Sequence, residues 1–180
     1  MLALHARARA PNRPCRRCRA RGFTLIELMV ALAVAAVLFA IGVPMLRDVT
    51  LGSRLSATAN DLLASVQLAR SEAIKRNLAV TLCASADGAT CAGAGGWEQG
   101  WIVIDSAGTV IQLQQAQPAG YRMTQAGGTL PLAFQPIGIG ASPAVITVCR
   151  FDPLGSQERV LTVRTSGTAQ VSATTDGACP

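Results

Sequence analysis

The sequence predicts an α+β protein, with one long N-terminal α-helix whose second half packs on an antiparallel β-sheet domain. Three observations lead there. Residues 23–46 form a run of 24 positions that holds a single charge, Glu27. Residues 47–77 then repeat apolar side chains at helical spacing. After Asn77 the chain changes to short β-prone runs broken by Gly and Pro. At 180 residues there is room for one ordinary domain plus a tail or anchor. The composition fits such a pairing, with 50% apolar residues but only 4% aromatic and 14% charged ones.

The apolar run comes first. As a helix it would be roughly 36 Å long, enough to cross a hydrocarbon layer of about 30 Å. Seven of the sixteen basic residues precede Gly22, and no acidic residue occurs before Glu27. The positive-inside rule keeps such a flank cytoplasmic, so everything after residue 46 is expected in the periplasm or exterior. An ordinary secretory signal has its cleavage site after the apolar region. Here the candidate site, Arg21-Gly22-Phe23, lies before it, and a cut there keeps the apolar helix as the new amino terminus. Gly42 and Pro44 near the end of the run weaken or kink a helix.

Net charge is +6, which would ordinarily suggest an anionic partner. From Phe23 onward, however, nine basic and ten acidic residues leave a net charge of −1. The retained chain therefore has no bulk attraction for phosphate.

The second half of the helix is amphipathic. Leu55, Ala59, Leu62, Val66, Ala69 and Ala73 form a one-sided stripe, from which Arg54, Asp61, Arg70, Lys75 and Arg76 are excluded. Asn77 is the expected stop. With the apolar run this makes a helix of roughly 54 residues, about 81 Å long. Its first half has nothing in its own chain to bury against and needs lipid or an apolar partner.

Eight β-prone runs follow: 80–84, 101–105, 109–114, 121–124, 131–134, 144–150, 159–164 and 168–172. Asp105-Ser106-Ala107-Gly108 reads as a hairpin turn. Short links favour an antiparallel arrangement. Four cysteines, Cys83, Cys91, Cys149 and Cys179, lie in the exported part and are free to oxidise there. Three connectivities are open. The favoured one joins Cys83 to Cys91 across a Gly/Ala-rich loop and Cys149 to Cys179, tying the carboxyl terminus to a strand.

Chemistry is excluded by what the retained chain lacks. His5 is the only histidine and precedes the candidate cut. No Ser-His-Asp, Cys-His or His-based metal arrangement is left, and no catalytic residue, metal or cofactor is expected. Cys15-Arg16-Arg17-Cys18 has no second ligand pair and no strand context. Gly88, Gly93, Gly95 and Gly96 precede no Lys-Ser/Thr and make no P-loop.

Residues 22–30, Gly-Phe-Thr-Leu-Ile-Glu-Leu-Met-Val, resemble the type IV prepilin processing motif. That resemblance implies a type IV pilin-like fold and a leader, residues 1–22, removed between Gly22 and Phe23 by prepilin peptidase with methylation of the Phe23 amine. It also gives Glu27 the place of the family's assembly glutamate. A carboxylate in a bilayer costs about 2.5–3.5 kcal/mol on insertion scales and needs a partner. The amine of Phe23, its own or a neighbouring subunit's, is the nearest cation after cleavage. The implied divisions are residues 23–46 for the membrane or filament-core helix, 47–77 for the amphipathic helix and 78–180 for a periplasmic β-rich domain.

Within that superfamily the chain is similar to the GspH/FimT group of minor pilins and pseudopilins. The similarity rests on Ala69-Arg70-Ser71-Glu72-Ala73-Ile74-Lys75-Arg76-Asn77, on Val80-Thr81-Leu82-Cys83 and on residues 96–103, which hold Trp97 and Trp101. It implies a structural or priming subunit of a type IV pilus or type II secretion pseudopilus, anchored in the inner membrane among other pilins. The alternative it implies is a DNA-binding minor pilin for uptake in natural transformation, using a Gly-Arg-x-Arg pattern near the carboxyl terminus. Here Thr168 and Gln170 stand where those arginines would be, and neutral side chains cannot make phosphate contacts of that kind. Arg159 and Arg164 are the remaining candidates for nucleic-acid contact.

Overall fold

The protein's structure, a computed structural model, describes residues 23–139, 141–151 and 157–175, and of residues 44–48 the backbone alone. It divides into two compact units, Met1–Pro44 and Met45–Pro180. One helix, α1 (Leu25–Arg76), contributes to both. Its assignment runs unbroken through Pro44.

The described residues of the first unit are the apolar stretch. Leu25–Val43 is 19 residues with a mean hydropathy of 2.6, long and apolar enough to cross a membrane, and none of it is buried. Leucine, isoleucine, valine and phenylalanine side chains point to every side, so the segment has no polar face to give to water.

In the second unit the helix is the wall of a core. Leu55, Ala59, Leu62, Val66, Ala69 and Ala73 are each 0–1% exposed. Arg54, Asp61, Lys75 and Arg76 stay at the surface. Arg76 ends the helix because Asn77 takes a left-handed backbone, φ 52°, which asparagine tolerates better than most residues.

Among the described residues eight strands follow: β1 (Val80–Ala84), β2 (Trp101–Asp105), β3 (Val110–Gln114), β4 (Tyr121–Gln125), β5 (Leu132–Phe134), β6 (Ala144–Arg150), β7 (Glu158–Val163) and β8 (Ala169–Thr174). They form two four-stranded antiparallel sheets rather than one, in the orders β3-β2-β1-β5 and β4-β6-β7-β8. The chain enters the second sheet with β4, returns to the first for β5 and leaves again for β6. Leu82 of β1 is thereby opposite both Val103 and Leu132. Both sheets turn side chains into one core, where Leu82, Val103 and Phe134 of the first meet Met123, Ile146, Val148 and Leu161 of the second and the helix stripe.

Asp105 closes the β2–β3 hairpin. Its carbonyl accepts the Gly108 amide at 3.0 Å, and its carboxylate accepts the amides of Ala107 and Thr109 at 3.0 and 2.8 Å. A buried polar contact crosses the core where the Trp101 indole donates to Ser65 Oγ of the helix at 2.9 Å. Ser65→Ala leaves that N–H without an acceptor, and an unsatisfied buried donor costs about 1–3 kcal/mol. Urea unfolding of the full chain in detergent is expected to show that loss, with Ser65→Thr restoring most of it.

Candidate assembly site

Three short sequence stretches make up the candidate site. The first is the start of α1. Thr24 precedes the helix, and its hydroxyl accepts the Glu27 amide at 3.3 Å; Glu27 Oε2 in turn accepts the Thr24 amide at 3.5 Å. This is a reciprocal capping box, in which two otherwise unpaired donors of the helix start are satisfied. The acid also sits at the positive end of the helix dipole. Sequence reading had offered Glu27 only an amine; the Thr-x-x-Glu spacing from Thr24 to Glu27 was the overlooked signal. Both bonds are long, and Oε1 accepts none among the described residues, so the carboxylate keeps an oxygen for a further donor. Phe23 stands 79% exposed. Gly22 lies outside the described residues, as does the rest of the stretch before Phe23.

The second stretch is Ala69–Asn77. Its four charged residues each have a definite partner. Arg70 Nε donates to the Gly138 carbonyl at 3.1 Å, fixing the β5–β6 loop to the helix. Glu72 accepts Lys75 Nζ at 3.1 Å and Arg76 Nε at 2.8 Å, and Arg76 Nη1 reaches Asp105 Oδ2 at 3.4 Å. The run Glu72–Arg76–Asp105 thus ties the last helical turn to the β2–β3 turn. The Arg76 and Lys75 hydrogen bonds hold the Glu72 carboxyl below its ordinary range, and Glu72 holds Arg76 above its own. Asp105 is held low first by the Thr109 amide, then by the Ala107 amide and the charge of Arg76.

The third stretch runs from Cys83 to Trp101. Cys83 and Cys91 are disulfide-bonded across eight residues. Inside the loop Asp87 accepts the Ala89 and Thr90 amides at 2.9 and 2.8 Å and the Ser85 and Thr90 hydroxyls at 3.0 and 2.7 Å. These bonds, led by the Thr90 amide, hold its carboxyl far below the usual carboxylate range. Trp97 lies in a single 3₁₀ turn, Trp97–Gln99, and is fully buried, its indole donating to Gln125 of β4 at 3.0 Å. Glu98 Oε2 accepts the Met123 amide at 2.9 Å. This turn therefore joins the two sheets. Gly100 closes it at φ 106°, where a Cβ would stand 2.7 Å from the Gln114 carbonyl oxygen; only glycine fits.

Cys149 is disulfide-bonded, and Cys179, expected as its partner, lies outside the described residues. Arg159 and Arg164 are not brought together. Side chains alternate along β7, so Arg159 shares the core-facing side with Leu161 and Val163 and donates to Ser56 Oγ of the helix at 3.1 Å. Arg164 is exposed on the alternate side, about 16 Å further along. Among the described residues no three His, Cys, Asp or Glu side chains gather as a metal site.

An apolar helix that continues into the wall of an antiparallel β domain defines a type IV pilin-like protein. The family comparison agrees. Residues 17–43 match the prokaryotic N-terminal methylation motif, and residues 58–169 match the family described as Type II transport protein GspH. The chain belongs to that family of minor pilins and pseudopilins. Its fold is shared with the type IV minor pilin FimU of Pseudomonas aeruginosa, at 20% identity over 66% of this chain and 92% of that one, TM-score 0.51. The minor pseudopilin EpsH from the type 2 secretion system of Vibrio cholerae is similar at 12% identity over 66% and 96%, TM-score 0.50. No curated protein sequence matches the chain.

Two outcomes are expected. A carboxyl whose folded pKa is depressed stabilises fully above its unfolded value and loses that contribution as pH falls through the lowered folded value. Carboxyl NMR titration should therefore place the Asp87 and Asp105 midpoints below the ordinary value of about 3.9, with the Ser85–Thr90 and Asp105–Thr109 turns loosening only in that acid range. Replacing Cys83 and Cys91 by serine removes a short loop closure worth about 2–3 kcal/mol, readable in denaturant unfolding against the parent chain.

Proposed function

We propose that the chain is a non-enzymatic minor subunit, structural or priming, of a type IV pilus or a type II secretion pseudopilus. It is made with a leader that prepilin peptidase cuts between Gly22 and Phe23, and the new Phe23 amine is methylated. Before assembly it is a single-pass inner-membrane protein whose C-terminal domain is periplasmic, and it leaves the bilayer by joining other pilins in a filament. The observation that carries this reading is the start of α1. An exposed apolar helix begins with a capping box whose acid, Glu27, is the one charged side chain from Phe23 to Val43.

The physical sequence is short. The leader's arginines hold the amino end on the cytoplasmic side. Cleavage removes them and creates an amine one residue before Thr24. Glu27 keeps Oε2 on its own helix start and offers Oε1 to the amine of a neighbouring subunit. In a low-dielectric filament core that ion pair fixes axial register, because one turn of displacement leaves a charge buried without its partner. The clamp from Glu72 through Arg76 to Asp105 and the Trp97 turn keep the β domain one rigid body on its helix.

Nucleic-acid capture gains no support from the arginines, since Arg159 is engaged with Ser56 and Arg164 is exposed on the other side of the strand.

Intact-mass analysis of the membrane-purified protein should give a chain starting at methylated Phe23. Glu27→Ala should be inserted and processed at normal levels yet be missing from sheared filaments. A product that begins at Met1, or normal incorporation of Glu27→Ala, would contradict the reading. Gel-shift titration with duplex DNA across a salt series should show no micromolar binding.

A further inference from the structure

Ile102 is fully buried, yet it does not belong to the core shared by the helix and the two sheets. Val80, Leu82 and Ala84 of β1 and Trp101 and Val103 of β2 face that core, so by strand alternation Cys83 and Ile102 point to the opposite, outer face of the first sheet. In the register Cys83, Ile102 and Leu113 form one rung across β1, β2 and β3. The loop of residues 85–92 touches both ends of this rung. At one end the Cys83–Cys91 disulfide joins it to β1. At the other it lies on β3, where a Cβ on Gly88 would stand 2.9 Å from Leu113 Cδ1. A strap with those two footholds passes over Ile102 between them.

The strap is built as a body of its own. Asp87 accepts the Ala89 and Thr90 amides and the Ser85 and Thr90 hydroxyls, and Ser85 Oγ accepts the Gly88 amide at 3.0 Å. Those bonds are internal and give the strap its shape without holding it down. Its start is pinned by the Ser85 amide, which donates to the Gly100 carbonyl at 2.9 Å. Its far leg is tied to β1 by the disulfide and by the Ala92 amide, which donates to the Ala84 carbonyl at 2.8 Å. A single backbone hydrogen bond is a weaker tie than a covalent loop closure, so the disulfide is the main fastening.

That fastening is open to exchange. Cys91 is exposed and Cys83 is buried, so an incoming thiolate meets the Cys91 sulfur first. Attack there forms a mixed disulfide on Cys91 and frees Cys83 as a thiolate. The second thiolate of a dithiol reductant then attacks the outer sulfur of the mixed disulfide and frees Cys91. The reductant leaves as its own disulfide, having given two electrons, and its two protons pass to Cys83 and Cys91. Exchange with an added disulfide runs the same steps backwards and restores the bond.

We propose that residues 85–92 are a redox-controlled strap. With Cys83 and Cys91 joined, it seals the outer face of the first sheet over Ile102; reduction by a dithiol releases it and opens an apolar strip made of Ile102 and Leu113. Leu113 is already 46% exposed beside the closed strap, so release enlarges an apolar surface that has begun to form. The inference concerns the β domain by itself and does not depend on how the helix is anchored.

The test uses the full chain in detergent with isotope-labelled isoleucine methyls and a water-soluble gadolinium chelate, whose relaxation enhancement reports how near each methyl lies to solvent. In the oxidised parent Ile102 should be as protected as Ile146 of the core. Dithiothreitol should raise the Ile102 enhancement severalfold, and oxidised glutathione should restore protection. Cys83→Ser/Cys91→Ser should show the raised value without reductant while Ile146 stays protected, which assigns the effect to this bond and not to that of Cys149. Gly88→Ala, whose methyl would meet Leu113, should raise Ile102 part-way with the disulfide intact.

Continued protection of Ile102 in Cys83→Ser/Cys91→Ser would overturn the proposal, since hydrogen bonds alone would then hold the strap. Loss of protection at Ile102 and Ile146 together would overturn it too, because the bond would be holding the whole domain and not one strap. So would an Ile102 methyl already open to the chelate in the oxidised parent.

Discussion

The structure depends on one unmet demand for burial. Leu25–Val43 exposes Leu25, Phe39 and Ile41 at 77, 69 and 69%, and it has no polar face. Each such side chain left in water forgoes roughly 1.5–3 kcal/mol of burial. A few kilocalories per residue over nineteen residues exceeds the whole stability of an ordinary domain, so burial in lipid or against an apolar partner is strongly favoured over leaving the segment in water. Under the proposed function, lipid answers the demand first and other subunits answer it later. Since lipid tails are as apolar as leucine, the choice between these environments turns on polar interactions. In this segment that leaves Glu27, and a carboxylate already half-committed to Thr24 is well suited to exchanging a weak local partner for a stronger one.

The β domain meets the opposite requirement, to be a rigid body on a helix it must not release. Its hydrophobic stripe supplies the adhesion, and three polar devices supply the register. Trp101 bonds to Ser65 in mid-helix, the Glu72–Arg76–Asp105 run binds the helix end, and the Trp97 turn holds the two sheets together. Each of these devices draws at least one residue from the stretches that resemble the family. Their residues are thus explained by packing.

Much of this was legible beforehand. The 3.6-residue recurrence from Leu55 to Ala73 marks the buried face because a helix has no other way to bury a stripe. The strand runs stand out because Gly and Pro separate them, and Asn77 and Gly108 act as stops through left-handed backbone that few other residues accept. The partition into two sheets was not legible. It depends on β5 crossing back to β1, a pairing between distant residues that local propensity does not encode. Nor was the Trp97 turn, since three residues are too few for a periodic signal.

The most direct measurement of the central claim is photocrosslinking in living cells from a benzophenone amino acid placed at Val34, in the middle of the apolar segment. With filament assembly blocked, the account requires adducts with lipid; with assembly running, it requires adducts with other pilin subunits. Adducts confined to the chain's own residues 78–175 in both conditions would contradict it, because the segment would then have found its burial at home.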